Sequence, residues 1–174
     1  MRLFTRLLPP AETDASAPAM TLTLSYEQRR RARLRLTLSD GTEVGLQVPR
    51  GSVLRDGDWL GCEEPGVVAR VRAGAEHVSV VETADPHLLA RAAYHLGNRH
   101  VPLQIEPSVL VYPHDHVLDG MCRELGLKVS QALRPFEPET GGYGGEHSHG
   151  NGSRLAPLAA EAPPSIVRPE PGRG

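Results

Sequence analysis

Three histidines stand close together in this 174-residue chain: His100 ends the stretch "GNRH", and His114 and His116 flank Asp115 in "YPHDHVL". Imidazole is a borderline ligand that suits Ni, Zn, Cu and Fe, and it binds only through an unprotonated nitrogen. A His-X-His pair offers two such nitrogens from one short piece of backbone, so metal binding is the first chemistry these residues suggest. A metal-dependent hydrolase would also need a carboxylate base beside an open coordination position. The acid inside the motif, Asp115, is placed to cap a helix instead, so no catalytic residues and no enzymatic activity are expected. A metal-responsive regulator would need a basic recognition helix or a helix-turn-helix, and neither accompanies the motif.

Composition narrows the chemistry further. Six of the eight histidines (His95, His100, His114, His116, His147 and His149) fall between residues 95 and 149, whereas the two cysteines, Cys62 and Cys122, form no CxxC pair. Neither a disulfide framework nor a thiolate zinc site is indicated, so any metal must be held by nitrogen and oxygen. The residues by themselves give a divalent transition metal, and Ni(II), Zn(II) or Cu(II) would each suit such donors. A net charge of -2 with 4% aromatics argues against a nucleic-acid partner. The "RRRAR" run at 29–33 leads into an alternating strand, which puts Arg31, Arg33 and Arg35 on one solvated face with no aromatics to stack on bases. Without an apolar run of about 18 residues there is no spanning helix. The apolar start is broken by Arg6, Pro9 and Pro10, too soon for a secretory signal, so a cytoplasmic protein with no membrane partner is expected.

The elements that must position the histidines follow from periodicity. Residues 1–19 read as a flexible extension ending in "AETDASAPA", and a start at Met20 would lose little structure. Residues 20–74 read as a small β-rich domain: "ARLRLTL" alternates Leu34, Leu36 and Leu38 with polar partners, Asp40-Gly41 supplies a tight turn, and "EVGLQVP" answers it. From residue 75 to 137 the order is β-α-β-β-α-β, which fits a ferredoxin-like domain and makes the whole α+β. "DPHLLARAAYHLGN" has Asp85 as N-cap, Pro86 at the first helical position and Gly97 as C-cap. "HVLDGMCRELG" repeats the same grammar 29 residues later and also closes on Leu-Gly. Gly120 inside it costs about 1 kcal/mol against Ala, which suggests close packing, across a dimer for instance. Residues 138–174 read as a disordered tail, because Pro and Gly supply 15 of the last 40 residues against 16 of the 115 between 20 and 134.

On this scaffold Pro113 keeps Tyr112 out of the helical region, so His114 leaves the strand extended while His116 starts the helix. Across that corner both can point one way. His100 lies just past its helix, at the start of the next strand, and topology alone need not bring it to the pair within one subunit. A homodimer would supply two copies of His100 to a shared axis. His95, on the polar face of its helix, reads as solvated or as a peripheral ligand. His147 and His149 form a second His-X-His on a glycine-rich tail able to capture metal without a fold. His77 and His87 read as ordinary surface or boundary residues.

"AAYHLGNRHVPLQ", then "YPHDHVLDGMCRELGL", then a histidine-containing tail closely resemble the UreE family of urease accessory proteins. The resemblance covers about residues 20–150. It implies a homodimer whose N-terminal domain binds peptide and whose C-terminal ferredoxin-like domain binds metal. Such a protein is a nickel metallochaperone, which carries Ni(II) to the apo-urease complex and works with the accessory GTPase UreG. By the same resemblance His100 binds nickel at the dimer interface, His114 and His116 form flanking sites, and His95 is peripheral. Polyhistidine extensions of some members are reduced here to His147 and His149, which fits transient capture better than storage. Exposed neutral imidazoles allow ligand exchange, and binding should weaken as pH falls through about 6.5.

Overall fold

The structure, a computed structural model, describes residues 1–9 and 20–140. His147, His149 and nearly all of the expected tail lie outside the described residues, as do residues 10–19. The described chain is α+β, with two sheets and three helices.

The first sheet has six strands in the order β2-β6-β5-β1-β4-β3: β1 (Arg2–Leu8), β2 (Met20–Leu24), β3 (Arg33–Thr37), β4 (Glu43–Gln47), β5 (Trp59–Cys62) and β6 (Val68–Ala73). The turn at Asp40-Gly41 joins β3 to β4, with Gly41 at φ 82° and the Asp40 carboxylate accepting from the Thr42 amide at 2.8 Å. One expectation fails here. Residues 2–8 are not a flexible extension, because β1 lies inside the sheet, parallel to β4 and antiparallel to β5. Its Phe4 is fully buried among Leu22, Val44, Leu46 and Leu60. A strand that buries one side chain and is held by ladders on both edges has no apolar period of its own, and its partners are more than 40 residues away. Nothing local marks it.

The second sheet is β7 (Ala75–Glu82), β8 (Gln104–Glu106), β9 (Val109–Pro113) and β10 (Lys128–Pro135), in the order β10-β7-β9-β8 and antiparallel throughout. With α2 (Pro86–Gly97) after β7 and α3 (His116–Glu124) after β9, this is the β-α-β-β-α-β order the sequence predicts. Alternation gives each face its own core. Val81, Leu110, Tyr112 and Val129 meet Ala92, Leu96 and Cys122 of the helices. On the opposite face Val78, Val80, Val109, Val111 and Ala132 are covered by Phe136 and Tyr26, whose rings meet edge to face at 5.7 Å.

Tyr26 begins the short helix α1 (Tyr26–Arg29), and the arginine that ends it is wholly buried. Arg29 Nη1 donates to the Leu54 carbonyl at 3.1 Å and to Glu137 Oε1, while Nη2 donates to the Phe136 carbonyl. The basic run is therefore not a uniform solvated face. Arg31, Arg33 and Arg35 are exposed as expected, but Arg29 ties the segment before β3 to the chain leaving β10. A buried guanidinium is tolerable only because these acceptors replace its water.

The helices start as the sequence predicts. Asp85 accepts from the amides of His87 and Leu88, and Asp115 from those of Val117 and Leu118. The end of α2 differs from expectation. Gly97 is inside α2, and the residue that turns the chain into the left-handed region is His100, at φ 54°. The His100 amide donates to Gly97 O at 2.9 Å and the Val101 amide to Leu96 O at 3.4 Å, the paired bonds of a Schellman motif. The expected close packing at Gly120 is also not found within the described chain: a methyl group there would meet nothing within 4 Å.

Candidate metal site

Each of the three histidines is positioned differently. His100 is exposed and sits on the αL residue that terminates α2. His116 is exposed at the first residue of α3. His114, with about 25% of its side chain exposed, lies at the corner between β9 and α3 and is the best fixed of the three. Its Nδ1 faces the buried Ser79 hydroxyl at 3.0 Å and Asp119 Oδ2 at 3.5 Å. Its Nε2 stands 3.5 Å from the Gln131 side-chain nitrogen.

Asp119 is the anchor of this arrangement. It comes from the first turn of α3 and is 1% exposed, and it accepts from the Tyr112 hydroxyl at 2.9 Å with Arg123 Nη2 at 3.7 Å. Burial pushes the Tyr112 phenol well above its usual range, with Cys122 and Asp119 acting in the same direction, so Tyr112 stays a donor. Burial also pushes the Cys122 thiol up, which keeps it a neutral core residue rather than a thiolate ligand. With the Ser79 hydroxyl at 3.0 Å and the Asp119 carboxylate at 3.5 Å, a proton on Nδ1 has oxygen acceptors beside it, and in that tautomer Nε2 carries the lone pair. Metal-ligating histidines are commonly held this way.

The imidazole packed on His114 is that of His77, with ring centroids 4.5 Å apart at 44°. The His114 amide donates to the His77 carbonyl at 3.2 Å, which carries the β7–β9 ladder one residue past the strand end. Reading the sequence left His77 as an ordinary surface residue. Alternation along "HVSVV" puts His77, Ser79 and Val81 on the helix-facing side, but pairing Ser79 with Gln131 of β10 is a tertiary fact.

His95 is half-buried rather than solvated. It lies against the Tyr94 ring at 5.3 Å and lines a shallow cleft with Arg99, Met121, Glu124 and Leu125, between the C-terminal parts of the two helices. Among the described residues no three His, Cys, Asp or Glu side chains gather at one point. His100, His114 and His116 are therefore not brought around one ion within the chain.

Comparison with known proteins decides the family. Residues 4–74 match the N-terminal domain of UreE urease accessory protein, and residues 76–157 match its C-terminal domain. The chain belongs to the UreE family. Urease accessory protein UreE of Pseudomonas putida is 61% identical over 107 residues, which are 62% of this chain and 64% of that protein. The UreE of Citrobacter koseri is 57% identical over 116 residues, covering 66% of this chain and 76% of that one. For the UreE of Escherichia coli O157:H7 the figures are 56% over 114 residues, 65% and 74%. The match thus spans a little under two thirds of the Pseudomonas putida protein and about three quarters of the other two. UreE is a family of urease accessory proteins, not of enzymes. The N-terminal match starts at Phe4, inside β1, in agreement with the buried position of that strand.

Proposed function

We propose that this protein is a nickel metallochaperone that delivers Ni(II) to apo-urease, working in the cytoplasm as a homodimer together with the accessory GTPase UreG. In this reading His100 of each protomer binds the ion at a shared two-fold axis, and His114 and His116 form a flanking site. His95, His147 and His149 act as peripheral donors. Zn(II) or Cu(II) would compete for the same imidazoles.

The observation that carries the reading is the backbone of His100. An L-residue in the left-handed region costs on the order of 1 kcal/mol, and the position normally goes to Gly or Asn. A histidine held there on an exposed turn spends stability on an imidazole, which fits a ligand that must be reached by a second protomer and by exchangeable metal. No helix of the described residues is long and apolar enough to cross a membrane.

Nickel titration calorimetry with light scattering, on the parent and on His100→Ala, tests this. The parent is expected to bind Ni(II) as a dimer, and the variant to lose the tightest class of sites. Tight binding unchanged in the variant would move the primary site elsewhere, and a parent that binds no nickel would end the reading.

A further inference from the structure

The basic run that leads into β3 has a place in the fold but no task in the metal chemistry. β3 is an edge strand: it pairs with β4 on one side, and among the described residues no strand lies on the other. The ladder fixes which backbone groups that open side presents. The Val48 amide donates to the Ala32 carbonyl at 2.9 Å, and the Leu38 amide to the Thr42 carbonyl at 2.9 Å. Bonded and non-bonded positions alternate along an antiparallel pair, so Leu34 and Leu36 also bond to β4, and the N–H and C=O groups of Arg33, Arg35 and Thr37 turn outward.

The side chains of these three residues lie on the exposed face, because Leu34 and Leu36 pack on the core. Arg33 and Arg35 take part in none of the ion pairs of the described residues. Their cross-strand neighbours are Gln47 and Gly45, and the shallow depression beyond is lined by Met1 and Leu3. Neither arginine has a carboxylate in front of it there.

We propose that the open edge of β3 takes an extended acidic segment of another protein, which adds a strand to the sheet and sets carboxylates at alternate positions against Arg33 and Arg35. The proposal stands apart from the metal sites. Beyond the peptide binding that the family resemblance implies for this domain, it fixes the strand, the backbone groups and the charge of the ligand.

Strand addition draws affinity from main-chain hydrogen bonds and specificity from the alternate side chains. On this edge the outward amides and the two arginines belong to the same residues, so one strand in register meets both. Opposite charges facing each other across strands stabilise the pairing, and like charges oppose it. A second copy of this chain is therefore a poor occupant: antiparallel pairing of β3 with its own copy over the full strand sets Arg35 against Arg35. Charged side chains on an edge also discourage indiscriminate pairing, so the groups that admit an acidic strand turn away neutral and basic ones.

The test uses the full chain and a labelled nine-residue peptide that alternates aspartate with valine, with binding read by fluorescence anisotropy. Two control peptides separate charge from backbone: one has asparagine in place of aspartate, and the other is N-methylated at alternate amides and keeps its charge. The parent is expected to bind the acidic peptide, with both control peptides and the Arg33→Gln, Arg35→Gln double variant weaker by about tenfold or more. Arg50→Gln with Arg91→Gln, which removes the same charge elsewhere, is expected to change affinity by less than about twofold. Hydrogen exchange of the Arg33, Arg35 and Thr37 amides is expected to slow when the peptide is bound. A parent that does not bind the acidic peptide overturns the proposal and leaves the arginines as edge protection only. Equal loss in the two double variants, or full binding of the N-methylated peptide, overturns it in favour of diffuse charge attraction.

Discussion

His100 and Gly126 hold the same backbone position at the ends of two successive helices. Gly126 has φ 91° and its amide donates to Arg123 O at 2.9 Å, with the Leu127 amide reaching Cys122 O at 3.1 Å. His100 has φ 54° and makes the corresponding bonds to Gly97 and Leu96. One half of the repeat uses the residue that fits the conformation, and the other places a side chain there at a cost.

It follows that His100→Gly should raise stability by about 0.5–1 kcal/mol while removing an imidazole from the surface. Gly126→Ala should lower stability by about 1–2 kcal/mol. Urea unfolding of both variants checks this, and a His100→Gly protein less stable than the parent would contradict it.

Asp119 should matter to metal binding without touching metal. Asp119→Asn keeps the volume but removes the charge behind His114 Nδ1, and losing such a partner lowers metal affinity by about 10–100-fold. Tyr112→Phe removes the donor at 2.9 Å and should cost about 1–3 kcal/mol of stability, with a smaller loss of affinity. Calorimetry beside thermal unfolding distinguishes the two effects; an Asp119→Asn protein with unchanged affinity at every site would exclude the positioning role.

Arg29 is the polar tie between the two sheets' segments. Arg29→Met leaves Glu137 and two carbonyls without their donor, and breaking a buried charge arrangement from one side costs about 3–5 kcal/mol. Thermal melts should show a large drop. A shift no greater than that of an exposed control such as Arg35→Met would show that the apolar contacts of Tyr26 and Phe136 suffice.

Asp58 gives a pH signature. Its carboxylate accepts from the Arg55 amide at 2.7 Å, but burial outweighs that bond and raises its pKa above 3.8. The folded chain then holds the proton more tightly than the unfolded chain, so this group's contribution to stability is complete below about 3.8 and is lost as pH rises through the folded value. Asp58→Asn retains an acceptor and removes the titration. The variant should gain on the parent at neutral pH, and the gain should shrink on acidification; a difference independent of pH would show that Asp58 titrates normally.

Much of this architecture was written locally. Period-two alternation at Leu34, Leu36 and Leu38, the Asp40-Gly41 turn, and the Asp85 and Asp115 caps each depend on residues within a few positions of one another. The histidine motif was legible for the same reason, since "GNRH" and "HDHVL" are contiguous. What the sequence could not disclose depends on pairing between distant segments. Strand β1 exists because β4 and β5 supply its ladders, and Arg29 is buried because Glu137 and the Phe136 carbonyl come to meet it. The meeting of His77 with His114 and Gln131 required the β7–β9 and β7–β10 registers, in which a slip of one residue would turn each side chain to the other face. The sequence alone determined which residues could hold metal and on which elements they ride. Only the tertiary structure decided which of them face one another, because hydrogen-bond register is set by the packing of whole faces and not by any residue's neighbours in the chain.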